Sequence, residues 1–186
     1  MDALRELEQI CLSCNRCQLC QDRKNVVFGV GNQNADIMLV GEGPGEQEDL
    51  QGQPFVGPAG KLLDDMLSII DLDRTKVYIA NIVKCRPPHN RDPFDEEQDA
   101  CFGYLSQQIA LIRPKIIVCL GRISAKKLID PEYRITREHG SWINQNGVWM
   151  TAIYHPSALL RDVSKRPETF EDLLAIRAKM QELGIN

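Results

Sequence analysis

The sequence predicts an α/β protein, a three-layer α/β/α sandwich around a four-stranded parallel sheet, and three observations predict it. Four short apolar runs, 36–40, 76–80, 115–120 and 148–154, have the length and β-branched content of buried strands. Between them lie longer stretches with apolar residues at helical spacing. Strand and helix alternate, which implies right-handed crossovers and helices on both faces of the sheet. The 186 residues suit one such domain, 1–186, with a core of ample size.

Residues 3–13 read as an amphipathic helix carrying Leu4, Leu7, Ile10 and Leu12. Cys11, Cys14, Cys17 and Cys20 follow at intervals of three. The run is like half of a bacterial ferredoxin motif, with the last gap one residue short and Gln21 where proline is expected. A continuing helix would turn these thiols slowly around its axis, so not all four need face one centre. Cys14 and Cys17 are the favoured pair.

The first strand empties into Gly41-Glu42-Gly43-Pro44-Gly45-Glu46-Gln47-Glu48-Asp49. Its glycines let backbone approach a ligand closely, and Pro44 stiffens the turn. Four carboxylates and no lysine argue against a phosphate cradle, and Glu46 stands where the dinucleotide fingerprint needs its third glycine. Glu42, at a strand's carboxyl end, either positions water or belongs to a solvated acidic turn. Phe55 sits among breakers in 51–60, where it either stacks on a flat ligand or tucks onto a neighbouring helix.

Helix 60–70 carries Leu62, Leu63, Met66, Leu67 and Ile70 toward the core. The second strand ends at Asn81, whose amide either reads a nucleobase edge or bonds its own backbone in a turn. A proline-rich basic loop, 82–93, leads to helix 94–112 with Cys101. The third strand is apolar throughout and therefore central, with Cys119 as a small hydrophobe. Gly121 opens helix 124–129, and an irregular stretch surrounds Trp142. The fourth strand ends in His155-Pro156-Ser157. A last helix carries Phe170, Leu173, Leu174, the stem of Arg177 and Met180, and closes at Gly184.

Composition narrows the class. No apolar run reaches transmembrane length, and the amphipathic N-terminus is unlike a signal peptide, so a cytoplasmic protein is expected. Seven cysteines in a reducing compartment point to metal ligands or buried apolar residues rather than disulfides. The formal charge of −4 gives no general attraction to nucleic acid, so any such binding must come from a local basic patch.

Ligands of parallel sheets bind beyond the strands' carboxyl ends. Glu42, Asn81, Gly121 and His155 each follow one of the four strands, which suggests a common cleft suited to a planar, uncharged, hydrogen-bonding ring. At these positions the chain resembles a family. Gly41-Glu42-Gly43-Pro44-Gly45-x-x-Glu48-Asp49, Gly52-x-Pro54-Phe55-Val56-Gly57-x-Ala59-Gly60, Asn81-x-x-Lys84-Cys85-Arg86-Pro87-Pro88 and His155-Pro156-Ser157 together resemble the family-four, iron-sulfur uracil-DNA glycosylases, over about 14–161.

The resemblance implies the uracil-DNA glycosylase fold and excision of uracil from DNA, leaving an abasic site. It implies catalytic roles for Glu42 and His155, and uracil binding by Gly43, Glu48, Phe55 and Asn81. In the best-known uracil glycosylases a tyrosine excludes thymine; here the corresponding place is Gly45, and by resemblance Glu48 takes the task. Lys84, Arg86, Arg91, Ser157, Leu159 and Arg161 are the expected DNA contacts. Leu159 and Leu160 are either the wedge that fills the flipped base's place or first-turn core residues. His155 alone would ordinarily read as a structural loop cap, and its place in the motif turns the reading to function.

The same resemblance selects Cys14, Cys17, Cys85 and Cys101 as ligands of a structural [4Fe-4S] cluster that ties the N-terminal segment, 1–25, to the core. Structural zinc would suit the same thiolates, and Cys11 and Cys20 compete for the first pair. The expected partner is uracil-containing DNA, with no membrane, and the protein is expected to be a monomer. A non-catalytic iron-sulfur module that binds nucleic acid or assists a polymerase is the alternative on the same fold.

Overall fold

A computed structural model describes residues 2–185. The elements run α1 (Ala3–Leu12), α2 (Leu19–Asp22), β1 (Val30–Gly31), β2 (Ile37–Gly41), α3 (Glu46–Gln51), α4 (Pro58–Ile69), β3 (Val77–Asn81), α5 (Asp95–Ile112), β4 (Ile116–Leu120), α6 (Arg122–Leu128), α7 (Ile135–Glu138), β5 (Ile143–Gln145), β6 (Val148–Ile153), α8 (Pro156–Arg161) and α9 (Arg166–Glu182). The sheet order is β1-β3-β2-β4-β6-β5.

The expected parallel strands are β3, β2, β4 and β6, adjacent in the sheet. The four-stranded description needs correction, because β1 and β5 pair antiparallel at the two edges and make six strands. Both are too short to leave a periodic signal. β5 did carry one sign of itself: Asn146-Gly147, both at positive φ, is the two-residue turn of a β5–β6 hairpin.

Side chains alternate across the sheet, so β2 sends Met38 and Val40 into one core layer and Ile37 and Leu39 into the other. The first layer is packed with residues of α1 and α5, the second with residues of α4, α8 and α9. Two helices bury a different stripe from the one expected. On α9, Leu173, Ile176 and Met180 face inward while Phe170 and Leu174 are exposed. On α1, Leu4, Leu7 and Cys11 are buried while Ile10 and Leu12 are exposed. At 100° per residue a neighbouring apolar position points elsewhere, and both helices hold more apolar residues than one face accepts. No helix among the described residues is long and apolar enough to cross a membrane.

Candidate active site

The parallel register sets Gly41 of β2 beside Asn81 of β3, and the backbone pairing continues past the strands, with Ile82 N donating to Gly41 O and Val83 N to Glu42 O. Glu42 and Asn81 are thereby held on one rim. A cavity of about 370 Å³, within the range of small-molecule sites, opens there and is lined by Glu42, Gly43, Glu48, Phe55, Asn81 and His155 among others.

Gly41 is required by packing: a Cβ there would lie 2.4 Å from Asn81 Oδ1 and 2.7 Å from Phe55 Cζ. Phe55 adopts φ 53°, and its backbone is fixed by Arg74, which donates to the carbonyls of Pro54 and Phe55. Glu48 holds the same loop, since its Oε1 accepts from Val56 N at 2.9 Å and Gly57 N at 3.0 Å. The Phe55 ring lies 5.6 Å from that of His155, inclined by 30°.

Asn81 is buried, and its Oδ1 has no hydrogen-bond partner among the described residues. A buried acceptor without a donor costs free energy on the order of 1–3 kcal/mol, so a ligand N–H is the natural complement. His155 begins α8, where its Nδ1 accepts from Ser157 N at 3.1 Å. Burial, with Arg161 adding repulsion, pushes the imidazole down to about 4, so it is neutral at pH 7 with its proton on Nε2. Burial and the charge of Asp92 push Glu42 up to about 7, against the pull of Arg122 and Arg161. The site thus combines one carboxylate balanced between its two states, one neutral ring donor and one vacant acceptor.

The other acidic-loop carboxylates play no part in this cavity: Glu46 is exposed, and Asp49 is buried against the N-terminal segment, accepting from Lys24 N and Asn25 N.

Among the expected DNA contacts, Arg91, Ser157 and Arg161 line the cavity mouth. Arg91 forms a bidentate pair with Glu97 and lies 3.8 Å over the Phe94 ring; Arg86 Nε donates to Asn90 Oδ1. Two expectations need correction. Lys84, only 1% exposed, does not reach solvent, because its Nζ donates inward to Asn81 O at 3.0 Å and Gln108 Oε1 at 2.6 Å. Burial pushes this ammonium down to about 8, with Cys101 and Cys11 favouring its charge. Leu159 is 2% exposed and packs in the core, whereas Leu160 is 43% exposed, since one helical step turns it outward. Arg122 and Asp92, paired across the mouth, were not singled out from sequence. The available signal was the position of Arg122 directly after the rim glycine Gly121.

Cys14, Cys17, Cys85 and Cys101 line one small cavity in the first core layer, joined there by Cys11 and Cys20. Among the described residues, no group of three or more His, Cys, Asp or Glu stands in metal-ion geometry. The surroundings nevertheless suit an all-thiolate centre. Arg23 Nη1 donates to Cys85 Sγ and Lys84 N to Cys101 Sγ, each at 3.3 Å, and N–H donors to sulfur accompany thiolate ligation.

The chain belongs to the uracil DNA glycosylase superfamily, whose family model matches residues 28–177, a span that takes in every strand and all the elements bordering the cavity. Within that superfamily it stands with the type-4 enzymes. It is 46% identical to the type-4 uracil-DNA glycosylase of Archaeoglobus fulgidus, over 95% of this chain and 92% of that one. The type-4 uracil-DNA glycosylase of Thermotoga maritima is 43% identical over 92% of this chain and 91% of its own. The type-5 uracil-DNA glycosylase of Pyrobaculum aerophilum is more distant, at 32% over 69% of this chain and 64% of its own.

Proposed function

We infer that the chain is a uracil-DNA glycosylase, which removes uracil from DNA by hydrolysing the N-glycosidic bond and leaves an abasic site for repair. The observation that carries this reading is the unpartnered Oδ1 of Asn81 beside the Phe55 ring. Uracil presents an N3–H to such an acceptor, whereas cytosine presents a lone pair and leaves both groups unsatisfied.

The base must leave the stack to reach the cavity. Phe55 then supplies a stacking face, and the Asn81 amide reads the edge. As the N1–C1′ bond breaks, its electron pair moves onto uracil, with charge gathering at O2. The neutral His155 donates from Nε2 to that oxygen and does not itself need to lose a proton. Ionised Glu42 favours the cationic sugar and orients the water that adds to C1′ and gives up a proton, while the uracil anion takes up one after it departs. Glu48 fills the space beside Gly45, where a Cβ would lie 2.8 Å from its Oε2, and in this reading excludes the thymine methyl.

Arg86, Arg91 and Arg161 are proposed to hold phosphates, with Ser157 at the mouth and Leu160, rather than Leu159, exposed for the duplex. Cys14, Cys17, Cys85 and Cys101 would hold a [4Fe-4S] cluster, or zinc on the same thiolates, as a staple that fastens the N-terminal segment and the loop after β3; bond cleavage needs nothing from it.

Incubation with a uracil-containing oligonucleotide followed by alkali tests the reading. Free uracil and strand cleavage support it. DNA binding without uracil release would favour a non-catalytic module, and a protein fixed to the abasic strand would favour a covalently trapped relative.

A further inference from the structure

Lys84 has no task in the reaction just described. Its ammonium nevertheless stands at a junction. Two of its N–H groups reach neutral oxygens, the carbonyl of Asn81 and the amide of Gln108, and none of the ion pairs among the described residues includes it. Gln108 is itself tethered, donating to Phe28 O at 2.9 Å and to the Tyr78 hydroxyl at 3.2 Å. The Phe28 ring centroid lies 5.8 Å from Lys84 Nζ. The backbone of the residue is held as well, since Lys84 N donates to Cys101 Sγ.

We propose that Lys84 is a positioning residue: its ammonium bridges the carbonyl of Asn81 to the side chain of Gln108 and so holds the base-reading amide in place. The connection is short. Asn81 and Lys84 are three residues apart, and the two residues between them pair with Gly41 and Glu42, so the hold on Asn81 O also steadies the loop bearing Glu42. Loss of the ammonium would free the Asn81 carbonyl and loosen the amide. The proposal rests on the uracil-excising reading of the cavity.

The test uses the full chain with Lys84→Met, which keeps the stem and removes the charge. Three quantities are read: iron and zinc bound per chain, affinity for free uracil, and affinity for an oligonucleotide carrying an abasic site. The expected result is a fall of roughly tenfold in uracil affinity with abasic-site affinity within about twofold of the wild type, and metal content unchanged. Gln108→Leu removes one acceptor and keeps the charge, so it should weaken uracil binding less and leave metal content unchanged. Should Lys84→Met fail to fold, Gln108→Leu decides alone, and unchanged uracil affinity there overturns the proposal. Unchanged uracil affinity in Lys84→Met, or equal losses for uracil and abasic DNA, overturns it as well. A wild type that neither binds nor releases uracil overturns the function itself, and the role of Lys84 with it.

Discussion

The backbone N–H of Ser157 donates to Nδ1 of His155 at 3.1 Å, and this one bond decides which face of the imidazole bears its proton. With Nδ1 occupied as an acceptor, the neutral ring must carry hydrogen on Nε2. The cap of α8 and the proposed donor to uracil are therefore the same side chain. Nitrogen NMR should show His155 with an unprotonated Nδ1 and a protonated Nε2 from about pH 6 to about pH 8. His155→Ala should slow excision by roughly 10²–10³-fold, as expected for loss of one oxyanion donor.

Glu42 imposes a pH dependence of opposite sign on activity and stability. Excision requires its carboxylate, so the rate should rise through about 7 and lose that rise, along with roughly 10²-fold in rate, in Glu42→Gln. In the folded protein the carboxyl keeps its proton up to about 7, whereas in the unfolded chain it loses it near 4.5. Between these values the folded state binds more protons, so this group's effect on stability becomes less favourable as pH rises. Urea midpoints at about pH 5 and about pH 8 should therefore converge less in the wild type than in Glu42→Gln, the wild type losing more.

Gly41 is the cheapest way to disturb base recognition without touching a reacting group. Gly41→Ala drives a methyl into the Asn81 amide and the Phe55 ring at once. The variant should stay folded at a cost of about 1–3 kcal/mol and lose uracil affinity, measured by inhibition with the free base.

Glu48→Ala releases the two backbone N–H groups of Val56 and Gly57 and opens the space beside Gly45. Discrimination between uracil and thymine should narrow, read as the ratio of kcat/KM on matched oligonucleotides, and an unchanged ratio removes Glu48 from this task.

Phosphate binding should appear in the salt dependence. With the net charge at −4, only the local cluster at the mouth attracts DNA, so KM should climb steeply with salt. Arg161→Ala should reduce the slope of log K against log salt by about one. Arg122→Ala, which leaves Asp92 unpaired at the mouth, should weaken DNA binding as well.

The parallel strands were legible because a strand buried on both faces is apolar at every position, as Ile37 to Val40 and Ile116 to Leu120 are. The edge strand β1, two residues long, leaves no pattern to find. Converging side chains were legible wherever a strand end fixes direction, as at Glu42, Asn81 and His155. Direction failed where the backbone was irregular or the choice lay between neighbours. Lys84 follows a strand in a basic loop and reads as a surface cation, yet the chain folds it inward to the Asn81 carbonyl. Leu159 and Leu160 differ by one helical step, which composition does not resolve. Arg122 became visible only when its helix was placed against the mouth.

Recognition of the base rests on the unpartnered acceptor of Asn81 meeting the N3–H of an extruded uracil, and calorimetric titration with free uracil and with N3-methyluracil tests that directly. The methyl derivative keeps the ring, its stacking face and both carbonyls, and carries a methyl group in place of the N3 proton. Binding of uracil with loss of the methyl compound, and no response to either in Asn81→Ala, is the predicted result. Equal binding of the two bases to the wild type would contradict it.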